Sequence, residues 1–489
     1  VDEPGLAMGT AGGRWLLLAA IGGSGMALLD STVVNVALPR IGTALGAGFG
    51  GLQWTLNGYT LMLASLILLG GALGDRYGRR RVFLVGVAWF AVASLLCGLA
   101  LNVEMLVAAR ALQGIGGALL TPGSLSLISA SFRASDRGAA VGAWSGLGGV
   151  AAAVGPLVGG WLVEQVSWRA VFLVNLPLAA LVLWVGVRHV PESRDPQAPG
   201  RLDLTGALLT VVGLAALTYG LIAVQWVPVV VGLVALGAFV VVERRSRHPL
   251  VPLELFASRL FTAANLVTLA VYAALGGVFF LLVLQLQVVA GFSPVAAGLA
   301  LLPVTALMLV LSARSGALAQ RIGPRLQMTV GPLVAAAGLL LTLRIGPGSS
   351  YLRDVLPAVT VFGLGLACLV APLTAAVLAA APAHLAGTAS GVNNAVARTA
   401  GLLAVAALPA LVGLGGADYL QPAVFDPGFD AAMLICAGLL GAGAVVALVL
   451  VHGRPEVRQP SPAVLAVDRN LQCGVDGPPV CPRAPRQSE

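Results

Sequence analysis

Apolar residues run through this chain in long blocks, and the polar positions fall in short gaps between them. A helix crosses the hydrocarbon core of a bilayer with about 20 consecutive, mostly apolar residues. Runs of that length predict spans near 15–38, 52–74, 82–101, 104–128, 138–162 and 168–187, then two weaker ones near 204–222 and 226–242. Six more lie near 260–289, 294–319, 327–345, 353–379, 388–414 and 429–452. The pattern predicts an all-α integral membrane protein of fourteen spans, arranged as six, two and six. Its expected parts are a cytoplasmic N-terminus (1–14), a six-helix bundle (15–187), and linkers with an extra two-helix hairpin (188–259). A second six-helix bundle (260–452) and a disordered, Pro-rich cytoplasmic tail (453–489) complete the chain.

Composition agrees. The 489 residues are 58% hydrophobic and 10% charged, against about 45–50% and 25% for a soluble domain. A net charge of +8 suggests a nucleic-acid partner, but the basic residues sit in short loops rather than on one face, so none is expected. Cys97, Cys368 and Cys436 lie in apolar runs and read as small core side chains. Cys473 and Cys481 lie in the tail without neighbours at metal spacing, so no metal or cofactor is expected. The apolar run from Trp15 is too long for a cleavable signal peptide.

The loops orient the chain. Arg76, Arg79, Arg80 and Arg81 share one loop, and alternate loops after it hold Arg133 and Arg137, then Arg188, Arg194 and Arg201. Arg244, Arg245, Arg247 and Arg259 follow, then Arg321 and Arg325, whereas the intervening loops hold only Arg40, Arg169, Arg344 and Arg353. The positive-inside rule then puts both termini in the cytoplasm, and the expected location is a bacterial plasma membrane. His189, His248, His384 and His452 all fall at cytoplasmic ends, which argues against a buried histidine relay.

One Arg-rich loop is repeated. "GALGDRYGRRRV" at 71–82 is echoed by "GALAQRIGPRLQ" at 316–327, with Gly71, Ala72, Leu73, Arg76, Gly78 and Arg80 matched at an offset of 245. Each copy joins the second and third spans of its block. A weaker echo pairs "GIGGAL" at 114 with "GLGLAC" at 363, both in the fourth span. Repeated halves with a site between them are the logic of a secondary transporter.

Four stretches carry candidate chemistry. In the first loop, the Asp75 carboxylate is expected to accept bonds from a helix N-terminus or an Arg and so latch one half to the other, with Arg76, Gly78, Arg79 and Arg80 completing the turn. In "ALLDSTVVNVALP", Asp30 is the one carboxylate well inside these fourteen spans, and a mid-membrane acid is by default functional. The bland alternative is a structural Asp satisfied by Ser31 or Thr32. In "ARALQGIGGALLTPGSLSL", Arg110 lies about 9 Å from the outer end of its span and Asp30 about 12 Å, so the two are expected to meet, with Gln113 one turn on. An Arg so near opposes the effect of burial and leaves the carboxyl tunable between its protonation states. In "GLGGVAAAVGPLVGG", Gly146, Gly155, Gly159 and Gly160 allow close helix approach and Pro156 bends the span. Candidate pocket residues are Trp54, Asn57, Gln113, Trp144, Phe279, Phe280, Gln285, Asn393, Asn394 and Arg398.

With these residues in view, the chain resembles the major facilitator superfamily, and within it the fourteen-span drug/proton antiporters. "GALGDRYGRRR" is similar to the superfamily loop signature, "LDSTVVNVALP" to the family's first-span signature, and "ARALQGIGGA" to its Arg-bearing fourth-span motif. "GPLVGGW" looks like the antiporter motif of exporters, and "SWRAVFLVNLP" and "ERRSRHPLVPLELF" carry the likeness to the fourteen-span branch. The resemblance implies proton coupling by Asp30 and Arg110, gating by Asp75, and a lipophilic small molecule as cargo. It implies proton-driven efflux by a monomer surrounded by lipid; the alternative is a proton symporter importing a nutrient. No HExxH, G-x-S-x-G or phosphate loop stands in a context that would suit an enzyme. A single embedded carboxylate, partly offset by Arg110, leads to neutral or monocationic substrates as the expectation.

Overall fold

In the computed structural model, residues 5–195, 202–246, 249–382 and 385–451 are described. Among them, fourteen helical segments are long and apolar enough to cross a membrane. Lipid offers no partner for backbone N–H and C=O groups, so each spanning segment must satisfy its own, which is why these apolar runs become helices. Arg201, Arg247, His248, His384, His452, Cys473, Cys481 and the tail, all subjects of sequence-based expectations, lie outside the described residues.

The first block holds α1 (Ala11–Leu45), α2 (Phe49–Tyr77), α3 (Arg79–Gly98), α4 (Val103–Ser131) and α5 (Ala134–Gln165). Its sixth span is broken at Val174 into α6 (Ala170–Leu173) and α7 (Asn175–His189). The extra hairpin is α8 (Leu204–Ile222) and α9 (Trp226–Arg245). The second block holds α10 (Arg259–Leu284), α11 (Pro294–Ala300), α12 (Leu302–Ile322), α13 (Pro324–Thr342), α14 (Leu356–Ala379), α15 (Ala386–Leu411) and α16 (Pro422–Leu450). α10 continues into a wider π-type turn at Gln285–Val289. Several starts are capped as their sequences dictate: Asn102 accepts from the Met105 amide and Ser258 from that of Phe261.

Span ends differ from the sequence expectation mainly by extension. α1 runs through Pro39 to Leu45 before Gly46 closes it in the left-handed region (φ 63°). α16 begins at Pro422 rather than near 429, so Asp426 and Asp430 stand inside the helix. Asp30 is therefore not the only carboxylate within a span.

The internal repeat has a physical cause. Gly78 (φ 114°) and Gly323 (φ 86°) both turn the chain between the second and third spans of their blocks, with φ values that favour glycine. Two positions on, Arg80 donates to the Val190 carbonyl (2.9 Å) and Arg325 to the Leu448 carbonyl (2.6 Å). Each repeated Arg thus ties the end of its own block's sixth span to the start of the third. The glycine echo in the fourth spans also has a use. Gly116 lies against Gly86 and Phe90 of α3, and Gly365 against Gly331 and Ala335 of α13. A side chain at either would push two backbones apart.

α8 lies over the seam between the blocks. Its Leu214 packs with Leu61 and Ala64 of α2 and Leu402 of α15.

Candidate transport site

Asp30, fully buried in α1, is the centre of a polar cluster inside the first block. Arg110 Nη1 donates to Asp30 Oδ2 at 2.5 Å and to Gln113 Oε1 at 2.6 Å. Gln113 Nε2 (2.8 Å) and Asn175 Nδ2 (3.0 Å) both donate to Asp30 Oδ1. Behind them, Ser94 Oγ accepts from Gln113 and Asn175 and donates to the Phe172 carbonyl at 2.9 Å. Arg110 Nε donates to the Thr55 carbonyl, and the guanidinium lies over the Tyr59 ring at 4.5 Å. All five polar side chains are buried.

This geometry has a chemical consequence. Asp30 receives three donors and offers no proton, so the arrangement satisfies the ionised carboxylate. A proton on either oxygen needs an acceptor, which Asn175, whose Oδ1 has no partner, supplies only by turning its amide over. Protonation therefore has to break at least one bond and leave Arg110 or an amide to find a new partner. Removing one member of a buried ion pair costs about 3–5 kcal/mol.

The 71–82 loop behaves differently from the expectation. Asp75 pairs with Arg79 of its own turn (2.8 Å), and its backbone carbonyl accepts from the Asp195 amide. The carboxylate that caps α3 is Glu192, which accepts from the Arg80 and Arg81 amides at 3.1 and 3.3 Å. In this conformation the loop's bonds among the described residues stay within the first block. Arg76 stacks over the neighbouring Tyr77 ring at 5.1 Å.

The halves instead join at the end opposite the Arg-rich loops. Gly160 of α5 packs against Pro294 and Val295, and Gly298 of α11 packs back against the Pro156 carbonyl. Gly155 and Gly159 fit against Thr32 and Val33 of α1, whereas Gly146 has open space where a Cβ would be. Gln53 Nε2 donates to the Val405 and Ala406 carbonyls (2.7 and 3.0 Å), and Tyr419 Oη donates to the Ala47 carbonyl at 2.8 Å. Gln287 Nε2 reaches the Val36 carbonyl at 2.9 Å. Phe49 fills the centre, against Phe280, Tyr419 and Phe425.

Toward the Arg-rich end α5 and α12 part. Beyond Gly149, whose one neighbour is Leu309, a Cβ at Gly146, Gly142 or Gly138 would meet nothing within 4 Å. The α2–α15 seam stays in contact as far as Leu68 and Gly391. In this conformation the halves are joined at the end opposite the Arg-rich loops, and α5 makes no glycine contact with α12 beyond Gly149 toward the other end.

Most pocket candidates are already engaged. Trp54 packs in the seam under the hairpin. Trp144 donates to Ser24 Oγ at 3.0 Å within the first block. Phe280 belongs to the seal, and Phe279 meets Phe362 edge-on. Gln285 Nε2 donates to the Ile345 carbonyl (2.6 Å) and to Asp426 Oδ1 (2.5 Å). Asn393 Nδ2 bridges α15 to Asn265 Oδ1 and Thr268 Oγ1 of α10. Gln113 is held at Asp30. Among the described residues, Asn394 and Arg398 make no side-chain hydrogen bond or ion pair, and the buried Asn57 Nδ2 has no acceptor. Asn175, Ser94, Glu192 and Tyr419 were not singled out from sequence. Asn175 did carry a signal, as a lone amide in the apolar run "AVFLVNLPLAALV".

A polar cluster walled into one of two repeated helix blocks, beside a cleft closed at one end, defines a membrane transporter fold of two pseudo-equivalent halves. The chain belongs to the Major Facilitator Superfamily, whose family model matches residues 20–406. It is 38% identical to the puromycin resistance protein pur8 of Streptomyces alboniger, covering 90% of this chain and 92% of that protein. It is also 38% identical to the tetracenomycin C resistance and export protein of Streptomyces glaucescens, over 83% of this chain and 77% of that one. The multidrug resistance protein Stp of Mycobacterium tuberculosis is 37% identical, covering 84% and 79%. Among solved structures, the POT family transporter PepTSo matches with a TM-score of 0.67 at 17% identity, covering 89% of this chain and 97% of that one. An inward-facing bacterial homologue of the human lysosomal transporter Spinster matches at 0.63 and 17%, covering 89% and 96%. At such identities the likeness is one of fold.

Proposed function

We propose that this protein exports lipophilic small molecules, antibiotics among them, across the plasma membrane in exchange for protons, by alternating access of its two halves. The observation that carries the reading is the Asp30 cluster: an ionised acid held by three donors, which a proton must rearrange. The Arg-rich loops give the open end to the cytoplasm by the positive-inside rule. In the inward-open form a substrate enters the cleft from the cytoplasm or inner leaflet. Once the outer seal parts, a proton from outside neutralises Asp30, frees Arg110 from its ion pair and favours release and return. A ligand shifts such an equilibrium only through unequal affinity for the two forms. Resistance and export relatives support the direction of transport.

The test is a panel of antibiotics and dyes in a bacterial host lacking its own efflux pumps, with Asp30→Asn as control. Wild type is expected to raise inhibitory concentrations for a subset of lipophilic compounds, and Asp30→Asn, inserted at equal level, to raise none. A panel on which wild type protects against nothing would overturn the efflux reading. Equal protection by the variant would remove the coupling role from Asp30.

A further inference from the structure

Arg398 is a charge without a partner in the middle of a spanning helix. It makes no hydrogen bond, ion pair or ring contact that the structure records among the described residues, and it is half-buried. The other deep arginine, Arg110, is fully tied. Arg398 stands twelve residues into α15, roughly 18 Å from its Arg-rich end, too deep for the side chain to reach the interface. An ionisable residue so placed in a bilayer marks a substrate or ion path by default.

Its neighbours fix which way it faces. Gly391, Ala395, Arg398 and Leu402 follow one another at helical spacing along one stripe of α15. Gly391 lies against Leu68 of α2, Ala395 packs on the first block's core, and Leu402 lies against Leu61 and Ala64 of α2. Arg398 therefore points into the seam between the halves, covered from lipid by α8. Its charge reaches the hydroxyls of Tyr59 on α2 and Tyr272 on α10. On α2 the stripe that meets α15 runs Gln53, Asn57, Leu61, Ala64, Leu68. Asn57, with its free buried amide donor, thus lies about one turn nearer the seal than Arg398. Asn394 lies one turn nearer the open end on the same face of α15.

Charge bookkeeping gives the sign of the ligand. Asp30 is paired with Arg110, and Arg398 has no carboxylate partner among the described residues. Taking up a proton at Asp30 adds positive charge. Other carboxylates on the helices have their own partners: Asp75 is paired with Arg79, and Glu243 accepts from the Val251 amide beside the hairpin. Asp426 and Asp430 stand on α16, which packs on α10 and α13 within the second block. A cationic substrate would meet guanidinium and no free carboxylate.

We propose that Arg398 recognises an acidic group on the substrate, with Asn57 and Asn394 as flanking donors, and that the compounds exported best are lipophilic carboxylates or phenolates. This rests on the efflux reading above and replaces the neutral or monocationic substrate expected from the sequence, where Asp30 was counted as an available negative charge. A guanidinium paired with a carboxylate also gives the ligand a directional, charge-assisted anchor.

Three probes with one aromatic body decide it: 1-pyrenebutyrate, its methyl ester, and a pyrenylbutyl trimethylammonium. Binding is measured by fluorescence anisotropy on the purified full chain in detergent, for wild type, Arg398→Gln and Arg398→Lys. The acid is expected to bind at least about tenfold tighter than the ester, with the ammonium weakest. Arg398→Gln should bring the acid down to the ester, and Arg398→Lys should keep the acid preferred. The ester's binding reports that the variants are folded. An Arg398→Gln chain that keeps the ester's binding and still prefers the acid as wild type does, or an ammonium that binds wild type as tightly as the acid, overturns the inference. Either result alongside a positive resistance panel sinks this inference alone. Acid selectivity lost in Arg398→Gln alongside a blank panel upholds recognition and sinks efflux.

Discussion

Gly160→Val should open the outer end of the cleft. A Cβ at Gly160 would sit 2.6 Å from the Pro294 carbonyl oxygen, 2.7 Å from the Val295 Cα and 2.9 Å from the Pro294 carbonyl carbon. Carbon contacts settle at about 3.5–4.0 Å, so α5 and α11 have to part by roughly 1 Å at this crossing. The obstructing atoms are backbone and cannot rotate aside. Overpacking of this kind costs about 1–3 kcal/mol. The clash exists only while the halves are closed at this end, so the cost falls on the inward-open form. That moves the equilibrium toward the outward-open form by about 5- to 150-fold. Ala47, buried in the seal with its carbonyl bonded to Tyr419, is the reporter. Ala47→Cys in a chain without native cysteines would be labelled from outside by an impermeant maleimide. The labelling rate should rise by the same factor in Gly160→Val and stay unchanged in Gly146→Ala, where a Cβ has open space. An unchanged rate in folded, inserted Gly160→Val would refute the argument that this crossing is a gate.

Three further outcomes follow from the same geometry. Asn175→Ala removes one of three bonds to Asp30 and one from Ser94; substrate exchange should fall about 10- to 100-fold, from the 1.5–3 kcal/mol of a bond to a charged group, and near-normal exchange would take Asn175 out of the site. Glu192→Ala uncaps α3 at a cost of about 1 kcal/mol and should lower the melting temperature more than Asp75→Asn, whose half-buried pair with Arg79 lies within one turn of chain and caps no helix; the reverse order would restore Asp75 as the main tie. Arg110→Ala should abolish transport where Arg314→Ala, on an exposed face of α12, leaves it; equal losses would leave the Asp30 pairing without functional weight.

The span count and the six-two-six order were readable from apolar run length, because in lipid that property alone decides which segments become helices. The meeting of Asp30 and Arg110 was readable from depth, since antiparallel neighbours in a membrane share a common ruler. What depth could not give was azimuth. Asn175 follows the interruption at Val174, where Pro177 cannot donate to the Leu173 carbonyl, and which way its amide then faces is set by packing that the apolar run does not display. That Asp75 does not cap α3 in this conformation has a related reason. The sequence shows a carboxylate beside a helix start, but Glu192 comes from more than a hundred residues away and fills that place first. The start of α16 was missed because Asp426, Pro427 and Asp430 depress the apolar pattern while Pro422 opens the helix. Phe280 and Gln285 were expected to line a pocket, whereas this conformation uses them in the seal and the second block's core. A sequence cannot assign them, because their neighbours change with the state of the cleft.

Proton movement coupled to Asp30 is the central claim, and everted membrane vesicles test it most directly. With a preformed proton gradient reported by a pH-sensitive dye, adding a substrate found in the resistance panel should partly collapse the gradient in wild-type vesicles. Asp30→Asn, inserted at the same level and with its seal intact, should give no response to the same substrate. An equal, substrate-dependent collapse in Asp30→Asn would contradict the account, because protons would then be crossing by a route that does not include this carboxylate.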